Sequence, residues 1–384
     1  MKKNTFFLCA AAGLLALVSC SKNPVEEPAG LTPTVPLTVT IGPESLTKSA
    51  YSERKDYQIS SVQIFVFDDQ DKMENDFFTD VTPVDNTVSV DIATFTGPKT
   101  VYAVINAPRI TLRKDQLLST FEGRVSDLKD NSPTKLVMVG KNQITVQEYD
   151  KNKNPNATHQ TLGIYVKRLA AMVVLDKVTV DFTGTSLEGG SITIKEVYLK
   201  NVVGICHLGL NGITENAKSA VVPISLNETE QKTVTNWYNV ITKQATGAPD
   251  VTVDTQEIAL TNVAGGDGNA VYRCLFAYPN QTVTDSHVAY NTSNPDTWVA
   301  RKTRLVIKAF VSKTSVIPGP GTYTYYVFDL PVLESNRVYH VGNIKITMLG
   351  KDNDDDDDDL QAGKLNPAIT VDDWTETTAL DYEF

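Results

Sequence analysis

Histidine, cysteine and clustered basic charge are all scarce in this 384-residue chain. Its four histidines, His159, His207, His287 and His340, stand far apart without metal-ligand spacing. It has no G-x-S-x-G elbow, phosphate-binding loop or dinucleotide fingerprint. No catalytic, cofactor-binding or metal-binding residue is therefore assigned. The net charge of -11, with no basic stripe to offset it, argues against nucleic acid as a partner. Helical spacing is rare too. In the first half only Lys114 to Leu128 shows it, through Leu117, Leu118, Phe121, Val125 and Leu128. No solenoid period repeats along the chain. Much of the acid lies in one run, Asp354 to Asp359, within an acidic loop at 352–359. That run lacks the Gly and the distant Glu of a calcium loop, so it reads as solvated.

Long apolar runs are missing except at the start. Lys2 and Lys3 precede an apolar stretch, Phe6 to Val18, that is too short for a typical membrane span. Leu17-Val18-Ser19-Cys20 follows. This is similar to the lipobox of bacterial lipoproteins, with residues 1–20 as signal peptide and Cys20 as the lipidated residue; an ordinary secretory signal is the plainer alternative. Acyl chains hold a soluble domain at a membrane surface through their buried methylenes. Besides Cys9 and Cys20 there are only Cys206 in G-I-C-H-L and Cys274 in Y-R-C-L-F. An exported pair of this kind is either a disulfide or two buried free thiols, and the sequence leaves both open.

Strand patterns fill the rest. Residues 21–35 are polar and Pro-rich and read as a tether. Leu37, Val39 and Ile41 alternate in P-L-T-V-T-I-G, giving a first strand. A polar loop follows with Lys48, Arg54 and Lys55, basic residues placed where a trypsin-like protease cuts exposed chain. Strands are expected at Ile59 to Phe67, Thr87 to Ile92, Thr100 to Asn106 and Leu136 to Val139. Tyr149 to His159 is Asn- and Lys-rich, which suggests a boundary between domains at 36–160 and 161–384. The second half opens with Ile164 to Val180, too β-branched for a helix, as one or two strands. More strands are expected at Ser191 to Leu199, Ala220 to Ile224, Ala270 to Phe276, Thr303 to Val311 and Thr322 to Leu330. Short strands between turn-rich loops make the fold all-β, with β-sandwich domains and few short helices.

The last stretch, 368–384, reads A-I-T-V-D-D-W-T-E-T-T-A-L-D-Y-E-F. Ile369 and Val371 alternate with polar residues, and Leu380, Tyr382 and Phe384 alternate again. Such a tail either closes its own sheet or fits a groove on another molecule. Trp374 beside it reads as packing.

In order along the chain, these features resemble the FimA-type fimbrillin family, the subunits of type V pili. The resemblance is carried by the lipobox at Cys20, the first strand Pro36 to Gly42, the basic loop after it and I-S-S-V-Q-I-F-V-F-D. It continues through V-Y-A-V-I-N-A-P (Val101 to Pro108), V-K-R-L-A-A-M-V-V (Val166 to Val174), L-E-S-N-R-V-Y-H-V-G-N-I-K-I-T (Leu333 to Thr347) and I-T-V-D-D-W (Ile369 to Trp374). The resemblance implies two tandem transthyretin-like sandwiches and a lipidated precursor at the outer membrane surface. It also implies cutting by a trypsin-like protease in the loop after the first strand; the family's cut usually follows Arg, whereas Lys48 stands nearest here, with Arg54 a few residues on. Loss of Leu37, Val39 and Ile41 would then open a groove for the donor strand of another subunit, here Leu380, Tyr382 and Phe384. The implied partners are other pilin subunits, the protease, the membrane and a host or bacterial surface ligand. The alternative is a non-polymerising surface lipoprotein of the same fold, acting as a pilus anchor, tip adhesin or glycan-binding protein.

Overall fold

Period-two alternation and unbroken apolar runs set two kinds of strand in this chain, half-buried and doubly buried. The computed structural model describes residues 35–43, 58–84, 87–148 except 133, 160–209 except 201, 237–238, 254, 256–260, 262, 270–280, 302–354 except 313 and 318, and 369–373.

The first half contains β1 (Val35–Pro43), β2 (Ile59–Phe67), β3 (Met73–Val84), β4 (Val88–Thr94), β5 (Gly97–Ile105), α1 (Leu118–Glu122), β6 (Val125–Asp127), β7 (Met138–Val146) and β8 (Gln160–Arg168). Seven of these strands form one sheet in the order β3-β2-β5-β7-β8-β1-β4. The sheet folds over at the β7–β8 corner, where pairing is limited to Met138 with Arg168 and Val139 with Lys167. Gly140 makes this crossing possible, because a Cβ there would lie 2.1 Å from the Tyr165 carbonyl oxygen. The two layers enclose a core of Leu37, Val39, Ile41, Val62, Ile64, Val66, Val101, Ala103, Val90 and Ile164, among others. The other face of β2 and β5 carries Phe65, Phe67, Tyr102 and Val104 into a second core. Burial on both faces explains why I-S-S-V-Q-I-F-V-F shows no clean alternation.

The second half adds β9 (Ala171–Val180), β10 (Ile192–Lys200), β11 (Val202–Val203), β12 (Ile205–His207), β13 (Trp237–Tyr238), β14 (Ile258–Leu260), β15 (Ala270–Ala277), β16 (Arg304–Ser312), β17 (Gly321–Asp329), β18 (Arg337–Ile346) and β19 (Ile369–Asp373). Two four-stranded sheets result, β15-β9-β18-β19 and β14-β10-β16-β17. Residues of both, such as Val173, Leu175, Val341, Ile307 and Tyr326, share the second core. The fold is all-β with few helices, as the turn-rich strand pattern predicts.

Several expectations need correction. Helical spacing over 114–128 yields only the five residues of α1. Leu117 and Val125, which a helix would bury, are 51% and 47% exposed, whereas Phe121 is fully buried. Gly123 follows α1 directly, and Val125 and Ser126 pair instead with His207 and Cys206 of β12. Ile164 to Val180 is two strands in different sheets, the second of the two expected readings. β8 pairs in parallel with β1, so residues 160–168 belong to the first sheet. Ala220 to Ile224 lies outside the described residues. Strand β3 was not anticipated: it is an edge strand in which Glu74, Asn75, Asp76 and Asp80 interrupt Phe77, Phe78 and Val81. Cys206 and Cys274 are not joined in a disulfide, which leaves the reading of two thiols. The acidic run is not wholly solvated, since the Asp354 carboxylate accepts from the Tyr198 hydroxyl at 2.5 Å and also meets Lys200.

Candidate functional site

β1 lies between β8 and β4 in the first sheet. Its side chains alternate as the pattern requires: Val35 is 3% exposed and Leu37, Val39 and Ile41 are 0% exposed. Its outward face is polar and bonded across the ladder. Thr38 Oγ1 donates to Asp91 Oδ1 at 2.7 Å, and the Thr40 and Ser89 hydroxyls lie 3.0 Å apart.

The strand is internal to its sheet. On one side it runs antiparallel to β4, from Val35 opposite Thr94 to Ile41 opposite Val88. On the other it runs parallel to β8, from Leu37 opposite Gln160 to Pro43 opposite Val166. Taking β1 away would strip the ladder partner from both neighbours and open an apolar trench over Val62, Ile64 and Val101. Burial of its four apolar side chains stabilises the intact state by about 6–12 kcal/mol before ordering costs.

The chain re-enters at a well-fixed point after the loop that follows β1. Asn106, at φ 61° and 1% exposed, accepts from the Ser60 N–H at 2.8 Å. Its amide nitrogen donates to the carbonyls of Gln58 at 2.7 Å and Leu136 at 3.0 Å. Asn tolerates the left-handed region that β-branched residues avoid, so this position in V-Y-A-V-I-N-A-P is explained by backbone shape and bonding together. Cutting the loop would leave the start of β2 anchored.

At the other end of the fold, β19 pairs antiparallel with β18, Ile369 opposite Val341 and Asp373 opposite Arg337. β19 is an edge strand, and Ile369 packs against the core. The first part of the stretch 368–384 thus closes a sheet of its own chain. Leu380, Tyr382 and Phe384 lie outside the described residues, as do Cys20, Lys48, Arg54 and Trp374. The structure brings Leu37, Val39 and Ile41 together in one core and leaves the other predicted site residues untested.

One group escaped the sequence reading. Glu74 on β3 takes the Lys99 ammonium at 2.6 Å, with side chains only 7% and 5% exposed. It also accepts from Thr94 Oγ1 at 2.5 Å and from the Phe95 N–H at 2.8 Å. Asn75 Nδ2 donates to the Ala93 carbonyl at 2.7 Å. No spacing in the sequence announces this cluster, because it forms between an edge strand and the end of β4. Among the described residues no group of His, Cys, Asp and Glu has the arrangement of a metal site. His340 instead meets Asp176 at 3.1 Å, and His207 lies 3.2 Å from the Gly123 carbonyl.

Comparison with solved structures adds the decisive observation on the fold. A fimbrillin of Porphyromonas gingivalis superposes with a TM-score of 0.53 at 16% identity, over 88% of this chain and 97% of that one. The chain has the fimbrillin fold. A candidate cell adhesion protein of Parabacteroides distasonis is similar, with a TM-score of 0.57 at 13% identity over 89% of this chain and 99% of that one. Another, from Bacteroides eggerthii, gives 0.55 at 14% identity over 89% and 97%. No family model matches the fimbrillin-like chain, and no curated protein matches its sequence.

Proposed function

We propose that this protein is a fimbrillin, a structural subunit of surface fimbriae that supports adhesion. It is exported with a lipoprotein signal that is cut before Cys20, and Cys20 is lipidated, which tethers the precursor to the outer membrane surface. A trypsin-like protease cuts after Lys48 or Arg54. β1 then leaves, and the tail of another subunit takes its place through Leu380, Tyr382 and Phe384. The fold divides into two tandem sandwiches.

The observation that carries this reading is the position of β1. It is an internal strand with four buried anchors, and the segment between it and β2 holds Lys48 and Arg54 in the sequence. A cut there severs β1 from β2 without breaking any strand among the described residues. An open edge over an apolar trench invites a strand of matching alternation. Each ladder hydrogen bond adds about 0.5–1.5 kcal/mol net to the burial of the incoming anchors. Mutual fit rather than chemistry is the function.

β19 favours a second reading in part. Ile369 to Asp373 already pair at home, so a subunit that keeps its whole tail to itself would act as a non-polymerising anchor or tip protein. Deleting Ala379 to Phe384 separates the two. The truncated precursor should fold, be cleaved and fail to form filaments under the electron microscope. Normal filaments would remove the tail from the account. An unfolded truncated monomer would show that the tail serves its own chain.

A further inference from the structure

In the sheet order, β4 sits at the end beside β1. Once β1 departs, β4 has no ladder partner among the described residues, and a groove needs two walls. The opposite wall, β8, is secured by its β7 corner and by its continuation into β9. What fixes β4 is the cluster on β3. Glu74 holds Thr94 through its hydroxyl and Phe95 through its N–H, while Lys99 neutralises the carboxylate. Asn75 holds Ala93 through its carbonyl. Ala93 and Thr94 at the end of β4, and Phe95 just after it, are thus tied to the edge of the opposite layer. None of these bonds involves β1.

We infer that Glu74, with Lys99, Thr94 and Asn75, is a clamp that keeps β4 in place as a wall of the empty groove, and so sets how well the processed protein takes up a strand. This rests on the reading that β1 leaves. The physical case is that the Glu74 bonds are charge-assisted and part-buried around a buried Glu74–Lys99 pair, conditions under which they are shorter and stronger than neutral surface bonds such as that of Asn75. In the precursor, β1 and the clamp both hold β4, so losing the clamp is masked by the ladder. After processing, the clamp holds β4 without that help. A loose β4 must be ordered at the moment of strand entry, and that ordering weakens uptake. These are positioning residues: none of them touches the resident strand through its side chain in the bonds described.

The test uses full-length precursor, cut by limited trypsin treatment in the loop after β1. The probe is a fluorescent synthetic peptide of the native occupant, Val35 to Pro43. Two variants are compared with wild type: Thr94→Val, which keeps the Glu74–Lys99 pair, and the double change Glu74→Gln with Lys99→Met, which leaves no buried unpaired charge. Cut wild type should bind the peptide, and each variant should bind it about tenfold more weakly or worse. Thermal midpoints of the uncut variants should stay within about 4 °C of wild type. Equal peptide affinity in variants and wild type would overturn the clamp. So would a loss of affinity no greater than the stability lost by the uncut variants, or wild-type protein that takes up no peptide. A second peptide, Ala368 to Phe384, keeps the two ideas apart. If cut wild type binds the β1 peptide but not this one, the exchange reading fails and the clamp stands.

Discussion

Thr38 on β1 donates its hydroxyl to the Asp91 carboxylate on β4 at 2.7 Å, while its neighbours Leu37 and Val39 are fully buried. Adjacent residues on this strand therefore do different work, and substitution should separate them. Leu37→Ala should destabilise the precursor by about 2–5 kcal/mol through lost burial and a residual cavity. Thr38→Val should cost about 0.5–1.5 kcal/mol, since it removes one exposed hydrogen bond. Urea unfolding of the two variants checks the order. Equal effects would mean that β1 is not seated as described.

Asn106 should be intolerant of change for two distinguishable reasons. Asn106→Gly keeps the left-handed backbone and loses the bonds to Ser60, Gln58 and Leu136. Asn106→Ala loses the bonds and adds about 1–2 kcal/mol of backbone strain. Thermal unfolding should rank wild type above the Gly variant and the Gly variant above the Ala variant. An Ala variant as stable as the Gly variant would contradict the backbone part of the argument.

The protein should lose stability in alkali. Burial pushes the Cys206 thiol up to about 12 and the Tyr339 phenol up to about 12. Tyr278 and Tyr326 are raised by burial, and Tyr102 and Tyr198 by burial and by bonds to Glu122 and Asp354. In the unfolded chain the thiol ionises near its ordinary 9.0 and the phenols near 10.0. Between those values and the raised ones the unfolded state binds fewer protons, so stability falls as pH rises. The slope is about 1.4 kcal/mol per pH unit for each such group. Stability should be level below pH 9 in this respect and drop steeply above pH 10, with the buried tyrosines ionising only as the protein unfolds. Ultraviolet titration of tyrosine against circular dichroism tests this. Full tyrosine ionisation with the fold intact would contradict it.

Asp354 should behave as a docked residue rather than as part of a solvated run. Asp354→Ala removes the carboxylate that accepts from the Tyr198 hydroxyl in a mostly buried setting and should cost about 1–3 kcal/mol. Chemical unfolding of the variant checks this. A change no larger than a typical surface substitution, about 0.5 kcal/mol, would show that the contact contributes little.

Much of this fold was legible because it rests on local alternation. β1 and β4 show one buried face each, and β2, β5 and β9 show the unbroken runs of doubly buried strands. β3 escaped because an edge strand is protected by polar residues rather than marked by apolar ones. The helix was overestimated because spacing alone does not reveal that Leu117 and Val125 face solvent while Gly123 ends the turn. In the candidate site, Leu37, Val39 and Ile41 were readable from their own pattern. Glu74 was not, because its value comes from Thr94, twenty residues on, and from Lys99 on a third strand. Contacts that tie one element to another leave no local periodicity.

The central claim is that β1 is given up on assembly. N-terminal sequencing of subunits from surface filaments tests it most directly. The account predicts mature chains that begin at Ser49 or Lys55, without Leu37, Val39 and Ile41. Filaments whose subunits retain residues 35–43 in covalent continuity with β2 would contradict it.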